Sequence, residues 1–489
     1  MNLGAVVAAH ANSQPDKPAI DSGEEILTYR QLNERASRIA GRLRSAGARP
    51  GDLVATQMID SPTHVAALVA IARIGAIVLP IDWRSSALEV RRLVERFGAP
   101  WLFTDNERPV PEGMPSVGLD GVESEPVSRE EPVDLSDAPL VYALTSGTTG
   151  LSKGIVVTHE EMYERSVVFS QEGMIAFGDR FLPAMPLAYA AGREFHWSLL
   201  ICGATIVKTP SLFSAADLVA ITREKRISAL LVAPNVSRQL LAMPPGAADH
   251  LFPNLRVYVS STGKLTAEER AAIRARISPN LIDFYGSTGS GPIAAITGPQ
   301  DEPGPTSAGH VTSGLDVEIV DEGRQPLPAG QVGMIRLRGP RITKRFVGEI
   351  DSESEGIHNG WYYPGDLASF DENGLLHLHG RSVDLIKRAG LMVHALEVER
   401  ILMLHDSVAE AAVVGFALAD LGEEVAAFIV PRGPIQLREL TLHCIKHLAP
   451  YKVPARIETI DSLPRNANGK VQKTILRDLL QKSSGGAGS

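Results

Sequence analysis

Cysteine, aromatic residues and net positive charge are all scarce in this chain of 489 residues. The only two cysteines, Cys202 and Cys444, lie far apart and lack metal-ligand spacing, which excludes a disulfide framework and favours a reducing, cytoplasmic location. The formal net charge is −9, which argues against nucleic acid as a partner. No apolar run approaches the roughly eighteen residues that a membrane span needs, so none is expected.

The two ends of the chain carry little information about function. Residues 1–20 lack the basic start of a signal peptide, and His10 and Asn12 interrupt their apolar run, so we predict an amphipathic helix there. Residues 483–489 are rich in glycine and serine, and we expect a disordered tail.

Helical and strand patterns alternate along most of the chain. Residues 28–47 show helical spacing of apolar side chains and end in Gly47, and residues 52–58 have the pattern of a buried strand. This rhythm predicts an α/β fold in which helices cover mostly parallel sheets. The pattern changes to short strands from about residue 305. We therefore predict an N-terminal domain over 1–380, with a β-rich subdomain over about 305–380, and a small mobile α+β domain over 381–482.

The segment "LTSGTTGLSKG", Leu144–Gly154, has an unusual composition. Three glycines, five hydroxyl side chains and Lys153 lie between two strand-like segments. Glycines let backbone N–H groups converge on one point, hydroxyls add donors and the lysine adds charge, so the loop suits a polyphosphate. It is not a Walker A motif, because the required lysine spacing and the following helix are missing. A flexible surface linker is the simpler alternative.

Five segments in order resemble the adenylate-forming superfamily, which includes acyl-CoA synthetases, adenylation domains and luciferases. "TSGTTGLSKG" resembles its phosphate loop, and "FYGSTG", Phe284–Gly289, resembles its aromatic–Gly–x–Thr–Glu motif. "GWYYPGDLASFDENG" resembles its "GW…TGD" motif, "GRSVDLIKRAG" its hinge, and "PRNANGK", Pro464–Lys470, its C-terminal lysine motif. The resemblance covers nearly the whole chain and implies activation of a carboxylate by ATP.

The resemblance also implies roles for individual residues. A carboxylate attacking the α-phosphate of ATP joins two anions, so cations and donors must neutralise the reacting groups. Thr288 would touch the α-phosphate, Tyr285 would stack on adenine, and Asp366, assisted by Arg381, would accept hydrogen bonds from the ribose. The expected ATP site consists of Thr145, Ser146, Gly147, Thr148, Thr149, Gly150, Lys153, Ser261, Thr262, Gly263, Tyr285, Gly286, Ser287, Thr288, Asp366 and Arg381. The alternative for Asp366 is a turn-capping aspartate.

Two further roles rest on the resemblance. Lys470 would swing in with the small domain and bridge the substrate carboxylate and the α-phosphate; a solvated surface charge is its default alternative. Lys387, Ala389 and Gly390 would line a tunnel for the pantetheine arm of coenzyme A, where a plain strand–turn–helix fits the sequence equally well.

Three departures from the family pattern bear on the chemistry. Gly289 stands where the family carries a Glu that helps to coordinate Mg²⁺, so the metal would rely on phosphate oxygens, a hydroxyl and water, or the glycine makes room for a neighbour. Val383, followed by Asp384, stands at the hinge position where the family commonly has Asp or Lys. Ala188 and Tyr189 replace the end of the frequent "PLFH". In the same segment, Ala190 occupies the place of the Asp that amino-acid-activating domains use for the ammonium group, which disfavours an α-amino acid substrate.

The pocket for the acid is expected around the segment that follows Met185 and Pro186. Arg193 and His196 are candidates for meeting a polar or second carboxylate group, although a surface or helix-facing pair flanking an apolar helix is the simpler interpretation. The candidate pocket residues are Tyr189, Gly192, Arg193, His196, Asn235 and Ser287.

The leading hypothesis is a ligase that couples a small or medium-sized acid, aromatic acids included, to coenzyme A with ATP and Mg²⁺. The first alternative is a stand-alone adenylating enzyme that loads a carrier-protein thiol. The second is a weakened nucleotide- or acyl-binding protein, suggested by Gly289 and opposed by the intact Lys153, Asp366, Arg381 and Lys470.

Overall fold

The structure is a computed structural model of the chain, and it describes residues 1–105, 110–127, 133–145, 153–244, 250–302, 304–347, 356–388, 391–418, 422–465 and 471–484. Contacts divide the chain into two compact units. The first unit comprises 1–317 and 337–362, and the second comprises 318–336 and 363–489. The boundary predicted at 380/381 lies inside the second unit, and it stays a prediction.

The first unit is an α/β structure, as predicted. Its helices are α1 Val6–Ser13, α2 Tyr29–Ser45, α3 Pro62–Arg73, α4 Ala87–Phe97, α5 His159–Gln171, α6 Ala190–Cys202, α7 Ala215–Glu224, α8 Pro234–Ala242 and α9 Ala267–Arg276. Its strands up to residue 311 are β1 Pro18–Asp21, β2 Ile26–Thr28, β3 Leu53–Gln57, β4 Ile77–Ile81, β5 Trp101–Thr104, β6 Ser116–Val117, β7 Pro139–Thr145, β8 Lys153–Thr158, β9 Arg180–Pro183, β10 Thr205–Val207, β11 Ala229–Val232, β12 Val257–Ser260, β13 Leu281–Ser287, β14 Gly291–Ile296 and β15 Ser307–Val311.

Two mostly parallel sheets organise this unit. In one, the order is β6-β5-β3-β4-β7-β8, and its pairs are parallel except for β7 with β8. In the other, β15-β14-β13-β12-β11-β9-β10-β1-β2 is parallel from β13 to β1. Because parallel strands end at the same edge, the segments that follow β9, β10, β11 and β12 all start at one edge of this sheet.

Local sequence explains the elements that were predicted. Helix α2 begins at a capping box in which Thr28 and Gln31 bond reciprocally to backbone N–H groups. The five apolar residues at helical spacing in this segment are all buried, as are all residues of β3: Leu32, Ala36, Ile39, Ala40 and Leu43 in α2 and Leu53–Gln57 in β3. The predicted N-terminal helix is α1. Its residue Val7 and the preceding Leu3 pack into the core.

The remaining strands are short until the last part of the chain, as predicted. They are β16 Asp316–Val320, β17 Gly333–Arg338, β18 Ile357–His358, β19 Trp361–Tyr362, β20 Asp366–Phe370 and β21 Leu376–Arg381. The unit boundary divides β17: Gly333 and Met334 pair with β20 in the second unit, whereas Leu337 pairs with Tyr362 of β19 in the first.

The last part of the second unit is the predicted small α+β structure. It contains β22 Leu385–Arg388, β23 Leu391–His394, α10 Ala395–Met403, β24 Val408–Leu418, β25 Gly422–Pro431, α11 Leu437–His447, β26 Arg456–Thr459 and α12 Lys473–Ser484. The sheet order is β23-β22-β25-β24, and β26 pairs with β25. Helix α12 ends at Ser484, so the first two residues of the expected tail are helical; residues 485–489 lie outside the described part.

Gly309 shows how closely the strands of the first unit pack. Its φ is +87°, and a Cβ there would lie 1.9 Å from the carbonyl oxygen of Ala295. Gly51 has the same φ of +87°, but nothing lies within 4 Å of its Cβ position. Comparing alanine substitutions at these two glycines therefore separates the cost of backbone strain from the cost of a steric clash.

We predict that Gly51→Ala lowers the free energy of unfolding by about 1–2 kcal/mol, the cost of a left-handed residue with a side chain. Gly309→Ala carries the same backbone cost and adds an overpacking cost of about 1–3 kcal/mol. Thermal and denaturant unfolding of both variants measure the difference. Equal destabilisation would contradict the close approach of β15 and β14.

Candidate active site

The predicted phosphate loop connects two paired strands, as expected. Strands β7 and β8 are antiparallel, with Thr145 opposite Lys153 and Leu144 opposite Gly154. The loop residues Ser146, Gly147, Thr148, Thr149 and Gly150 lie outside the described residues, and so do the side chains of Thr145 and Lys153. The position of the loop at the end of a hairpin is therefore established, and its phosphate contacts stay a prediction.

The segment predicted to line the adenine follows β12 and has a strained backbone. Ser261 is buried and its hydroxyl donates to the carbonyl of Phe284, at 3.2 Å. The next residue, Thr262, has a φ of +71°, which is rare for a residue with a branched β-carbon. Gly263 packs beside Pro234. Strain of this kind is held in place by surrounding structure and clusters at ligand sites, so it supports the predicted role of this segment.

Tyr285, Gly286, Ser287 and Thr288 lie at the end of β13 and in the turn to β14. Tyr285 pairs with Ala294, and Gly286 lies so close to β14 that a Cβ there would be 2.5 Å from the carbonyl oxygen of Gly291. The hydroxyl of Ser287 bonds to that of Ser290, at 2.8 Å. The turn is thus fixed by bonds within the hairpin.

Arg165 of α5 also holds this turn through a hydrogen bond to its backbone. Its guanidinium donates to the carbonyl oxygens of Thr288 and Arg341, at 3.1 and 3.2 Å. The same group forms a buried ion pair with Glu194 of α6, at 2.5 Å. Neither residue of this ion pair was anticipated from the sequence.

Gly289 faces the ring of Tyr362. A Cβ at Gly289 would lie 2.5 Å from Cζ and 2.6 Å from Oη of Tyr362, so no side chain fits there without displacing the tyrosine. The backbone carbonyl of Gly289 accepts a hydrogen bond from the N–H of Thr343, at 2.8 Å. Of the two explanations offered for the missing Glu, the structure supports the one in which glycine makes room for a neighbour. The contact of Gly289 with Tyr362 was not anticipated from the sequence.

Asp366 and Arg381 are brought together in the second unit. They are direct partners in the register of β20 and β21, and Arg381 Nε lies 3.4 Å from Asp366 Oδ1. Ser382 follows and its N–H donates to the carbonyl of Gly365, at 2.9 Å. The two residues predicted to bind the ribose therefore lie side by side.

Tyr189 and Gly192, two of the residues expected to line the acid pocket, lie at the start of α6. Tyr189 precedes the helix, and its hydroxyl donates to Asp82 Oδ2 at 2.6 Å. Burial and the neighbouring Asp82 raise the pKa of Tyr189. A Cβ at Gly192 would lie 2.3 Å from the carbonyl oxygen of Pro186, so this position excludes any side chain. Asn235, on α8, is exposed.

Arg193 and His196 are both buried, at 1% exposure each, so their interpretation as a surface pair is wrong. Arg193 donates to the carbonyls of Leu187 and Ala188, at 3.0 and 3.1 Å, and burial lowers its pKa to about 10. His196 contacts the buried Lys208, at 3.1 Å between Nε2 and Nζ. Lys208 directly follows the apolar strand "ATIV", and its contact with His196 was not anticipated from the sequence.

Several predicted residues fall outside the described part of the chain. These are Lys470, Ala389 and Gly390, and also the side chain of Lys387, whose backbone pairs with Met392 in β22 and β23. Their roles stay predictions. Among the described residues, no group of three or more His, Cys, Asp or Glu side chains could hold a metal ion, and no helix is long and apolar enough to cross a bilayer.

Comparisons with known proteins cover nearly the whole chain. A fatty acid–[acyl-carrier-protein] ligase of Streptomyces coeruleorubidus is 33% identical over 96% of this chain and 94% of its own. An indoleacetate–CoA ligase of Aromatoleum aromaticum is 29% identical over 99% of each chain. The solved o-succinylbenzoate CoA synthetase of Bacillus subtilis, in complex with its acyl-adenylate intermediate, has a TM-score of 0.87, is 25% identical and covers 97% of each chain. The same synthetase has been solved with ATP and a magnesium ion.

Family models agree with these relatives. The model described as AMP-binding enzyme matches residues 7–347, and the model described as AMP-binding enzyme C-terminal domain matches residues 397–470. The first of these alone spans more than half of the chain. The chain therefore belongs to the family of AMP-binding enzymes.

Proposed function

We propose that this protein is an ATP-dependent carboxylic acid–CoA ligase. The observation that carries the proposal is the match over 99% of both chains to an acid–CoA ligase. A carboxylate oxygen attacks the α-phosphorus of ATP, and the bond to the leaving pyrophosphate breaks. The thiol sulfur of coenzyme A then attacks the acyl carbon, and AMP leaves.

Different residues would carry out different parts of this work. The loop between β7 and β8 with Lys153 would hold the β- and γ-phosphates, and the Thr288 turn fixed by Arg165 would meet the α-phosphate. Asp366 and Arg381 would hold the ribose. Lys470 would supply a further cation during adenylation. We also propose a cytoplasmic location, which the unpaired thiols of Cys202 and Cys444 suit.

Magnesium fits this site as part of the substrate MgATP. The chain supplies no carboxylate at Gly289, and Tyr362 fills the space that a glutamate would need. Mg²⁺ keeps several water ligands and binds readily through phosphate oxygens, so it needs few protein ligands.

The second candidate is transfer of the acyl group to a carrier-protein thiol. It is favoured by the 33% identity to a ligase named for an acyl-carrier protein. The test measures pyrophosphate release over a panel of acids, followed by AMP release on addition of coenzyme A or of carrier protein. Stimulation by carrier protein and not by coenzyme A would replace the first proposal with the second.

Lys470→Ala is expected to slow adenylation by ~100-fold or more, since its charge acts mainly in the transition state. Thiolysis of supplied acyl-adenylate is expected to change much less. The matched control is Lys446→Ala, which removes an exposed lysine of α11 in the same unit. Equal losses in the two half-reactions would refute the role of Lys470.

Asp366→Ala is expected to raise the Michaelis constant for ATP by ~10-fold or more, because two hydrogen bonds to a carboxylate are lost. Calorimetry of ATP binding checks this directly. Asp316→Ala serves as the control, since it removes a carboxylate that pairs with Arg338 at 2.9 Å and lies outside the site. Unchanged ATP affinity in Asp366→Ala would show that the ribose lies elsewhere.

Gly289→Glu is expected to leave the Mg²⁺ concentration for half-maximal adenylation unchanged, because Tyr362 excludes the new side chain from a productive position. The variant is expected to lose about 1–3 kcal/mol of stability through overpacking and to bind the acid more weakly. Adding Tyr362→Ala relieves the clash, so the double variant is expected to be more stable than the sum of the single effects. A lower Mg²⁺ requirement in Gly289→Glu, at unchanged stability, would contradict the packing argument.

A further inference from the structure

A lysine is buried beside His196, one of the residues expected to line the acid pocket. Lys208 directly follows β10 and is 7% exposed. Its ammonium group contacts Nε2 of His196 and makes no ion pair with a carboxylate of the described residues. Burying an ammonium group costs several kcal/mol unless its charge and its hydrogen bonds are satisfied. A lysine buried in this position without a direct carboxylate partner therefore calls for a functional explanation.

The hydrogen bonds of His196 fix its protonation. Nδ1 lies 2.6 Å from the carbonyl oxygen of Gly192, which can only accept, so Nδ1 carries the proton. Burial and the charge of Lys208 lower the pKa of His196 to about 3, which leaves Nε2 as an acceptor for the ammonium. One N–H of Lys208 is used in this way. The other two have no recorded acceptor among the described residues.

Asp60 balances the charge of Lys208 without bonding to it. Although burial opposes its ionisation, the charge of Lys208 and the nearby His64 lower the pKa of Asp60. Its Oδ2 accepts the N–H of Leu187 at 2.9 Å, and its Oδ1 lies 3.4 Å from His64 Nδ1. Nε2 of the buried His64 has no hydrogen-bond partner among the described residues. The charges of Asp60 and Lys208 thus offset each other, and the group still has polar atoms without a hydrogen-bond partner among the described residues.

The position of these residues connects them with the acid. Lys208 lies at the carboxyl end of a parallel strand, the edge from which the Tyr189, Asn235 and Ser261 segments also start, and α/β sheets bind ligands at this edge. On α6, His196 lies one turn beyond Gly192, on the same face. His196 and Lys208 therefore lie near residues that are expected to line the acid pocket.

We propose that Lys208 and His196 form the polar far end of the acid pocket, so that the preferred substrate carries an uncharged hydrogen-bond-accepting oxygen, such as a ketone carbonyl, at its far end. This rests on the proposed function. A carbonyl oxygen supplies the acceptor that the ammonium lacks. A second carboxylate fits less well, because Asp60 already balances the charge of Lys208 and an added anion would be buried in excess.

The experiment compares matched acids of equal chain length, from four to ten carbons: the plain acid, the acid with a ketone at its penultimate carbon and the dicarboxylic acid. Pyrophosphate release gives kcat/KM for each. Wild type is expected to prefer the oxo acid over the plain acid by ~10-fold or more at the best length, the effect of one hydrogen bond to a charged group. In Lys208→Met this ratio is expected to fall to about 1.

Two further variants control for folding. Lys208→Met leaves Asp60 without a balancing charge, so Asp60→Asn/Lys208→Met restores neutrality and is expected to show the same loss of preference. Lys17→Met is the matched control, because Lys17 is a lysine of the same unit that donates to backbone carbonyls of Phe177 and Gly203, before the amino end of β1. It is expected to keep the wild-type ratio. Thermal unfolding and ATP affinity establish that each variant is folded.

The outcomes separate the inference from the proposed function. Persistence of the oxo-acid preference in both Lys208 variants overturns the inference, and so does a wild-type preference for plain or dicarboxylic acids; the ligase activity stands in each of these cases. Absence of pyrophosphate release with every acid overturns the proposed function, and the inference falls with it.

Discussion

The buried ion pair between Arg165 and Glu194 is the interaction on which the arrangement of the first unit depends. Through one guanidinium it joins α5, α6, the Thr288 turn and the segment that follows β17. Removing one partner of such a pair leaves an uncompensated buried charge and costs about 3–5 kcal/mol. The turn expected to meet the α-phosphate is therefore held by the core as well as by hydrogen bonds within its own hairpin. A reactive turn held in this way is preorganised, and preorganised donors lower a barrier without reorganising during the reaction.

The packing of helix α6 also bears on how the acid would bind. One of its residues, Phe195, packs against Phe169 and Phe181, with ring centroids 4.4 and 5.5 Å apart. Gly192 and His196 contact polar atoms instead, and Gly192 lies against the carbonyl of Pro186. The helix is buried on several sides, so it cannot shift to accommodate a larger acid. If Lys208 and His196 form the far end of the acid pocket, as proposed, selectivity for the acid would come from their fixed polar groups.

The sequence predicted the fold where the signal is local. Helix α2 and strand β3 follow from apolar spacing and a capping box, and the hairpin that carries Thr145 and Lys153 follows from two apolar segments around a glycine-rich loop. The pairing of Asp366 with Arg381 was implied by family resemblance alone. Contacts between distant segments were not accessible in this way. Nothing in the spacing of residues 289 and 362 reveals that a tyrosine ring excludes a side chain at Gly289, and α6 gave no indication that Arg193 and His196 are buried, because an apolar helix can cover either a surface or a core.

The buried cations of the first unit also limit which residues can do the chemistry. Arg165, Arg193 and Arg341 all lie near the site, but each donates to backbone carbonyls, and Arg165 also to Glu194. Their guanidinium groups are committed to the protein and can contribute only a fixed field. Joining a carboxylate to a triphosphate needs positive charge in direct contact with oxygens that change position during the reaction. On the proposed function, that charge would come from the magnesium of MgATP and from Lys153 and Lys470, the lysines of two of the family-like motifs. The buried arginines would then hold the backbone around the reacting groups, while the metal and the two lysines would neutralise the phosphates.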